Sequence, residues 1–404
     1  MNAVGIDVSK GKSTVSVLRL FGEVVASPFD VAHTESDLKA LADSIKKLPG
    51  ETKVVMEATG NYFEPIARYL HEQDIFVSVV NPVLISDFGG NTLRKPKTDK
   101  KDSIKIASYA LTYWLDLKKY NPQTDLRKSL KLLNRQYQQS TKLKTMMNNN
   151  LISLLDLTFP GINKLFTSQA RESDGHEKWI DFVLEFPHCD TLSKLTVKTF
   201  TRKYKKWCNN NSYHFTEASC EKIFAFSKNC VSGVSSDEST VFAVVQAAKM
   251  LISAIENCHA IQTEMNRIAS QLPEYDTVMD MFGVGKAVGP QLIAEIGDPR
   301  RFHNRKAITA YFGYDSENND SGQKNSKSNP MTKKGASALR RTLFIIMLVL
   351  LQNKPHDNPI YDFLIKKQSE GKHYYSYMNA AANKFLRIYY ARVKEVLNAS
   401  ESMP

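Results

Sequence analysis

The sequence predicts an α/β domain at the N-terminal end joined to an all-α remainder. Three observations carry this. Residues 1–118 alternate short apolar, strand-like runs with helix-periodic segments. Two long stretches, Leu126–Leu157 and Val241–Leu272, place apolar residues at helical spacing. The end of the chain holds two more apolar helical runs, Ala336–Leu351 and Met378–Leu397, after a polar loop. With 404 residues, and domains commonly about 100–200 residues long, two or three domains are expected.

Within 1–118, Ala3–Val8 is an apolar strand, Thr14–Leu20 alternates, and Gly22 turns the chain into Glu23–Ser27. Links this short predict an antiparallel meander. Thr34, with Asp37 three residues on, opens a helix whose apolar face is Leu38, Leu41, Ile45 and Leu48, ended by Pro49-Gly50. Lys53–Met56 is a strand, Tyr62–His71 a helix and Ile75–Val80 a fifth strand; Thr98 caps a helix running to Leu115. The order β-β-β-α-β-α-β-α is that of the ribonuclease H-like fold, with crossover helices where parallel neighbours need them.

Leu130, Leu133, Tyr137, Leu143, Met147, Leu151, Leu154 and Leu155 give the first long helix a coiled-coil-like stripe. The second carries Val244, Ala248, Leu251, Ile255, Ile261 and Met265. An antiparallel pair with a subdomain inserted at 159–238 is expected; the insert holds Trp179, Trp207 and the basic run Lys203-Tyr204-Lys205-Lys206. The resulting partition is 1–118, a helical region 119–274, and a C-terminal domain 275–404 that opens on a Gly-x-Gly turn leading into an apolar helix.

Formal net charge is +12. Such an excess favours a polyanion, because each cation placed on a phosphate releases a condensed counterion. No basic amphipathic anchor or lipidation motif competes for it. The five cysteines are scattered with no CxxC, so they read as reduced structural thiols of a cytoplasmic protein. The nine histidines form no HExxH, which disfavours a histidine metal centre. The N-terminus enters a strand directly, and Leu343–Leu351 is too short to span a bilayer, which takes about 20 residues.

The predicted first domain brings carboxylates toward one edge. Asp7 ends the first strand and Glu57 the fourth, its neighbour in this fold. Asp99 and Asp102, spaced i, i+3, share one face at the start of the last helix. Several carboxylate oxygens are what two hard divalent cations about 3.5–4 Å apart require, and such a pair stabilises both the attacking and the leaving oxygen of a phosphoryl displacement. The plainer alternative is helix-start acids and a solvated strand end.

Ser321-Gly322 lies in NNDSGQKNSKSNPMTKKG, followed by Lys324, Lys327, Lys333, Lys334, Arg340 and Arg341 with no acid between. By composition this is a basic loop that touches phosphate backbones; a nucleophilic serine supported by cations is the sharper alternative. Gly283-Val284-Gly285, followed by Lys286, reads either as half of a helix-hairpin-helix that holds a phosphate or as a capping turn. Tyr62, after Gly60-Asn61, either stacks on a base or simply starts a helix.

GIDVSK at Gly5–Lys10, MEATGNY at Met56–Tyr62 and KTDKKDS at Lys97–Ser103 resemble the RuvC-like DEDD domain of the IS110 family of transposases. Phe282–Gly297, Ser321-Gly322, Thr332-Lys333-Lys334-Gly335 and Leu339-Arg340-Arg341 resemble that family's second transposase domain. The resemblance covers 1–157 and 275–395. It implies that Asp7, Glu57, Asp99 and Asp102 hold magnesium, two ions at the site, and that Ser321 is the nucleophile, forming a transient phosphoserine link to DNA. Ser316, Ser326 and Ser328 share the loop. It further implies a non-coding bridge RNA that pairs with donor and target DNA, and a homo-oligomer, dimer or tetramer, in which one subunit's acids meet another's serine. Relatives of the Piv type invert DNA instead of moving an element. The expected function is therefore an RNA-guided DNA transposase of an insertion sequence. A metal-dependent RuvC-type endonuclease, a Piv-like invertase and a non-catalytic nucleic-acid binder are the rivals. The absence of a Gly-x-x-x-x-Gly-Lys-Ser/Thr loop agrees with chemistry that keeps its energy in the phosphoserine bond.

Overall fold

The computed structural model describes residues 1–88, 98–315, 331–333 and 335–401, and the chain divides into two compact units, Met1–Pro122 and Gln123–Pro404. Unit one runs β1 (Asn2–Val8), β2 (Lys12–Arg19), β3 (Val24–Ala32), α1 (Glu35–Lys46), β4 (Thr52–Glu57), α2 (Phe63–Glu72), β5 (Val77–Val80), α3 (Pro82–Phe88) and α4 (Asp99–Thr112). Among the described residues the sheet order is β3-β2-β1-β4-β5. The first three strands pair antiparallel, and β1, β4 and β5 are parallel. This is the expected mixed sheet, with α3 as an added helix that its short PVLISDF sequence did not reveal.

Strand parity sorts the sheet into two faces. Val4, Ile6, Val54 and Met56 pack under α1 and α2, against Leu41, Ile45, Ile66 and Leu70. Ala3, Leu18 and Val55 face α4, against Ile106, Ala107 and Ala110. Because both faces are covered, β2 buries Ser13, Thr14 and Ser16 as well as its valines. The alternation expected of a half-exposed strand therefore gives way to full burial.

Unit two runs α5 (Asp125–Thr158), α6 (Lys178–Glu185), α7 (Cys189–Ser193), α8 (Val197–Asn210), α9 (Glu217–Lys228), α10 (Glu238–Ala269), α11 (Tyr275–Met279), α12 (Gly289–Ile296), α13 (Arg305–Tyr311), α14 (Ser337–Asn353), α15 (Pro359–Ser369) and α16 (Tyr374–Glu401). The two long helices α5 and α10 pair antiparallel: Tyr137 Oη donates to Gln262 Oε1 at 3.4 Å, Asn257 Nδ2 to Ser140 Oγ at 3.1 Å. Leu130 meets the core of Met265 and Ile268 at one end, and Leu151 and Leu155 that of Val244 and Leu251 at the other. An 18-residue window of α10 has a mean hydropathy of 1.4; its buried side chains line these two cores.

Helices α6–α9 wrap an aromatic core of Trp179, Phe182, Phe200, Tyr204 and Trp207 around the far ends of α5 and α10. The near ends share a core with α11–α16, centred on Leu292, Leu343, Phe385 and Tyr389. Two buried polar pairs cross that junction. Arg127 forks onto Glu274, with Nη2 to Oε2 at 3.0 Å, and Asn134 Nδ2 donates to Glu295 Oε1 at 2.6 Å. All five cysteines are free thiols. Burial pushes Cys208, Cys220 and Cys258 up, and Cys230 to about 12, as structural thiols require.

Candidate active site

The β1–β4 register pairs Ile6 with Met56, so the next residues, Asp7 and Glu57, stand side by side where two parallel strands end. Asp7 is also paired with Thr14, and Thr14 with Asp30. Directly opposed residues share a face, so Glu57, Asp7, Thr14 and Asp30 form one row across four strands, on the α4 side of the sheet.

The close approach of α4 depends on Gly5. A Cβ there would lie 2.2 Å from the Ser103 carbonyl oxygen and 2.4 Å from the Ala107 nitrogen. The α4 backbone therefore rests directly on β1, with small Ser103 and Ala107 at the point of closest approach. Ala107 and Ala110 reach back toward Ala3, so α4 runs against β1 and its first turn lies at the carboxyl end of the strand. That turn carries Asp99 and Asp102, and Thr98 Oγ1 caps it by accepting the Lys101 N–H at 3.4 Å. The four predicted acids are thus delivered to one sheet edge by three elements. No three of them have carboxylate oxygens mutually within 4.8 Å; among the described residues the group that does is His188, Cys189 and Asp190.

Polar neighbours complete the edge. Thr59 Oγ1 donates to Glu57 Oε1 at 2.9 Å. Lys12 Nζ pairs with Asp30 Oδ2 at 3.0 Å, and Thr14 Oγ1 donates to Asp30 Oδ1 at 2.8 Å. The hydrogen bond that Lys12 donates to Asp30 raises the Lys12 ammonium, with the Asp99 charge adding to it. Thr14 and Lys12 in turn hold the Asp30 carboxyl down. Asp30 is absent from the motifs; its position opposite Thr14 is the signal that would have found it. Tyr62 stands 44% exposed just beyond the edge.

Ser321, Lys324, Lys327 and Lys334 lie outside the described residues. The described residues on either side of that stretch pair with one another. Thr332 N–H donates to the Asp315 carbonyl at 2.9 Å, its Oγ1 to Asp315 Oδ1 at 2.7 Å, and Lys333 N–H to the Gly313 carbonyl at 3.2 Å. Gly335 is held at φ 158°, and a Cβ there would lie 2.4 Å from the Tyr311 carbonyl oxygen. Arg340 Nη1 donates to the Phe312 and Gly335 carbonyls at 3.0 and 3.2 Å, so part of its guanidinium ties down this turn. Lys333 and Arg341 are exposed.

Gly283, at φ 83°, presses on α14: its Cβ would be 3.1 Å from Ile346 Cγ2. Gly289 closes α12 onto α11 against Met279, and Gly285 and Lys286 are exposed in the turn between these two helices. The His188 group has a different purpose. His188 Nδ1 accepts the Asp190 N–H at 3.1 Å and caps α7, and Nε2 contacts the Val234 carbonyl at 3.1 Å, so both ring nitrogens serve the backbone.

Residues 4–160 match a family model described as Transposase, and residues 275–362 one described as Transposase IS116/IS110/IS902 family. Curated relatives include the pilin gene-inverting proteins of Moraxella bovis and Moraxella lacunata. Each is 23% identical over 343 residues, which is 85% of this chain and 80% of theirs. Solved structures with similarity include T. thermophilus RuvC in complex with Holliday junction substrate, at 11% identity and a TM-score of 0.23, covering 30% of this chain and 99% of that one. A second, a Thermus thermophilus RuvC structure, is 13% identical with the same TM-score of 0.23.

Proposed function

This chain belongs to the IS116/IS110/IS902 family of transposases, and from that premise we propose that it is an RNA-guided, magnesium-dependent DNA recombinase that cuts through Ser321. The observation that carries the reading is the acidic edge: Asp7 and Glu57 on adjacent strand ends, with Asp99 and Asp102 held above them by α4.

The donor set fits hard divalent cations, since all four side chains offer carboxylate oxygens, with the hydroxyls of Thr14 and Thr59 beside them and the Lys12–Asp30 pair next to Thr14. When bound there, magnesium supplies charge stabilisation for a phosphoryl displacement. The chain's own residues do the rest. Gly5 fixes the height of α4 over β1, and Thr59 orients the Glu57 carboxylate. The Ser321 oxygen attacks the phosphorus; the strand's sugar oxygen leaves and takes the proton. The phosphoserine ester conserves the bond for rejoining, and the loop cations Lys324, Lys327, Lys333 and Lys334 lie along the backbone. A non-coding RNA guides the choice of DNA, and an oligomer of this chain supplies acids and serine to one another.

The test incubates the protein with magnesium, guide RNA and DNA, then seeks protein covalently attached to DNA on a denaturing gel. Asp7→Asn and Glu57→Gln should each abolish cutting while RNA binding persists. Ser321→Ala should remove the covalent adduct. Cutting by Ser321→Ala without an adduct would instead indicate a hydrolytic endonuclease. The pilin gene-inverting relatives favour one second reading, site-specific inversion. A substrate with two inverted sites decides it: an inverted segment favours that reading, an excised element the first.

A further inference from the structure

Unit one carries an aromatic cluster, apart from the acidic edge, with no assigned purpose. On α3, Ile85 is buried against α4 with Ile106, Ala107 and Ala110. That turns Leu84, Asp87 and Phe88, spaced i, i+3, i+4, onto another face of the helix. Tyr109 of α4 and Tyr113 at its C-terminal cap stand one turn apart. Lys105 Nζ, a turn before Tyr109, donates to the Ser86 carbonyl at 3.2 Å and fastens α3 to α4. Leu84, Asp87, Phe88, Tyr109 and Tyr113 line a cavity of about 270 Å³.

The rings form angled walls. Phe88 meets Tyr109 edge-to-face, with centroids 5.4 Å apart and planes at 87°, and Tyr113 at 6.1 Å and 66°. The two tyrosines lie 4.7 Å apart with planes at 38°. Tyr109 is buried, Tyr113 is 42% exposed, and Leu84 and Asp87 are exposed at the rim. Among the described residues, Asp87 has no ion pair, and no lysine or arginine stands over any of the three rings. Elsewhere in the same unit the chain fills such a place itself: Lys53 Nζ lies 4.9 Å from the Phe76 ring centroid and 4.6 Å from that of Trp114. Tyr109 is ten residues along α4 from Asp99, about 15 Å at the helical rise, so the box is separate from the acidic edge.

We propose that this box of Phe88, Tyr109 and Tyr113, with Asp87 at its rim, is a binding site for a guanidinium group. The face of an aromatic ring is electrostatically negative and attracts a cation held within about 6 Å of its centroid. A guanidinium is planar and weakly hydrated, so it lies on a ring face at small desolvation cost while its fork meets the Asp87 carboxylate. A compact ammonium is more strongly hydrated and loses more on entering. A phosphate is repelled by Asp87. A nucleobase finds no pair of parallel faces to enter, because Phe88 stands across both tyrosines and these touch each other. The group comes either from an arginine side chain on a second copy of this chain or from a small free guanidinium compound; the recognising chemistry is the same. The site stands independently of the DNA-cutting reading.

The experiment titrates the full chain by calorimetry with N-acetylarginine amide and with N-acetylcitrulline amide, which has nearly the same shape and no charge. The arginine compound should bind about tenfold more tightly, as a ring contact joined to a charged hydrogen bond implies. Asp87→Asn should weaken it about tenfold. Tyr113→Ala should abolish binding and Tyr113→Phe retain it, because the ring and not the hydroxyl makes the contact. Both side chains are exposed, so these variants should keep the wild-type urea midpoint. Equal binding of the two compounds overturns the site, as does wild-type affinity in both Asp87→Asn and Tyr113→Ala, or no binding of the arginine compound to the wild type. Sedimentation at rising protein concentration then identifies the source. Self-association lost in both variants and competed by the arginine compound assigns the guanidinium to a second copy. Self-association unchanged in both, with the arginine compound still bound by the wild type, assigns it to a free ligand. Single-stranded RNA binding that Tyr113→Ala weakens, with the arginine compound unable to compete, overturns the guanidinium in favour of a base.

Discussion

Gly5 shows how much one missing side chain decides. Its Cα faces the α4 backbone so closely that even a methyl group would overlap the Ser103 carbonyl. Gly5→Ala should therefore cost about 1–3 kcal/mol, as overpacking does, and should also abolish cutting because Asp99 and Asp102 move with the helix. Urea unfolding and the cleavage assay read these separately. Reduced stability with full cutting retained would mean that the acids do not depend on the height of α4. Asp7, Glu57, Asp99 and Asp102 were legible as residues from motif and strand order. Asp30 was not, because its relation to them exists only through the β2–β3 register. The purpose of Gly5, likewise, is invisible until α4 is laid upon it.

Among the elements, the short segment before α6 is built on charge. Arg171 binds Asp174 through Nε and Nη2, and Asp181 joins His176 at 3.0 Å to Tyr213. Hydrogen bonds from Arg171 hold the Asp174 carboxyl down at about 2, against burial acting the other way. A depressed carboxyl stabilises the folded form above its unfolded value, near 3.8, and that contribution fades as pH falls through the folded value near 2. Fluorescence of Trp179 and Trp207 should therefore report loosening of this region between about pH 4 and 2, a window that follows from linkage. Asp174→Asn should flatten the acid dependence there; an unchanged profile would remove Asp174 as its source. The long helices were legible from apolar spacing, as was the capping of α1 by Thr34. Helices α3 and α15 were not, since their runs are short and carry weak periodicity.

At the scale of the whole molecule, unit two has one aromatic core among α6–α9 and another shared by α11–α16, linked along α5 and α10. Phe200 is fully buried in the first and stacks between Tyr204 and Phe224. Phe200→Ala should cost about 3–5 kcal/mol locally. Amide exchange should quicken through α6–α9, while amides around Leu343 and Phe385 keep their protection. Equal acceleration in both regions would mean that the two cores unfold together. The net charge of +12 bears on partners and not on this architecture, since it sets attraction to polyanions without choosing a surface.

Periodicity and motif were enough to determine the strand order, the two long helices and the family resemblance, and to put the four acids at strand ends and a helix start. Each of these is written in residue types at fixed spacings along the chain, where local sterics and apolar patterning act. Packing between residues far apart in sequence decided the remainder. Only the closed structure shows that α4 rests on Gly5, that Gly335 lies against the carbonyl of Tyr311, and that Arg301 is stacked on two rings. A spacing rule cannot report these, because each depends on which groups come within a few ångströms of which, and that is fixed only when the cores close.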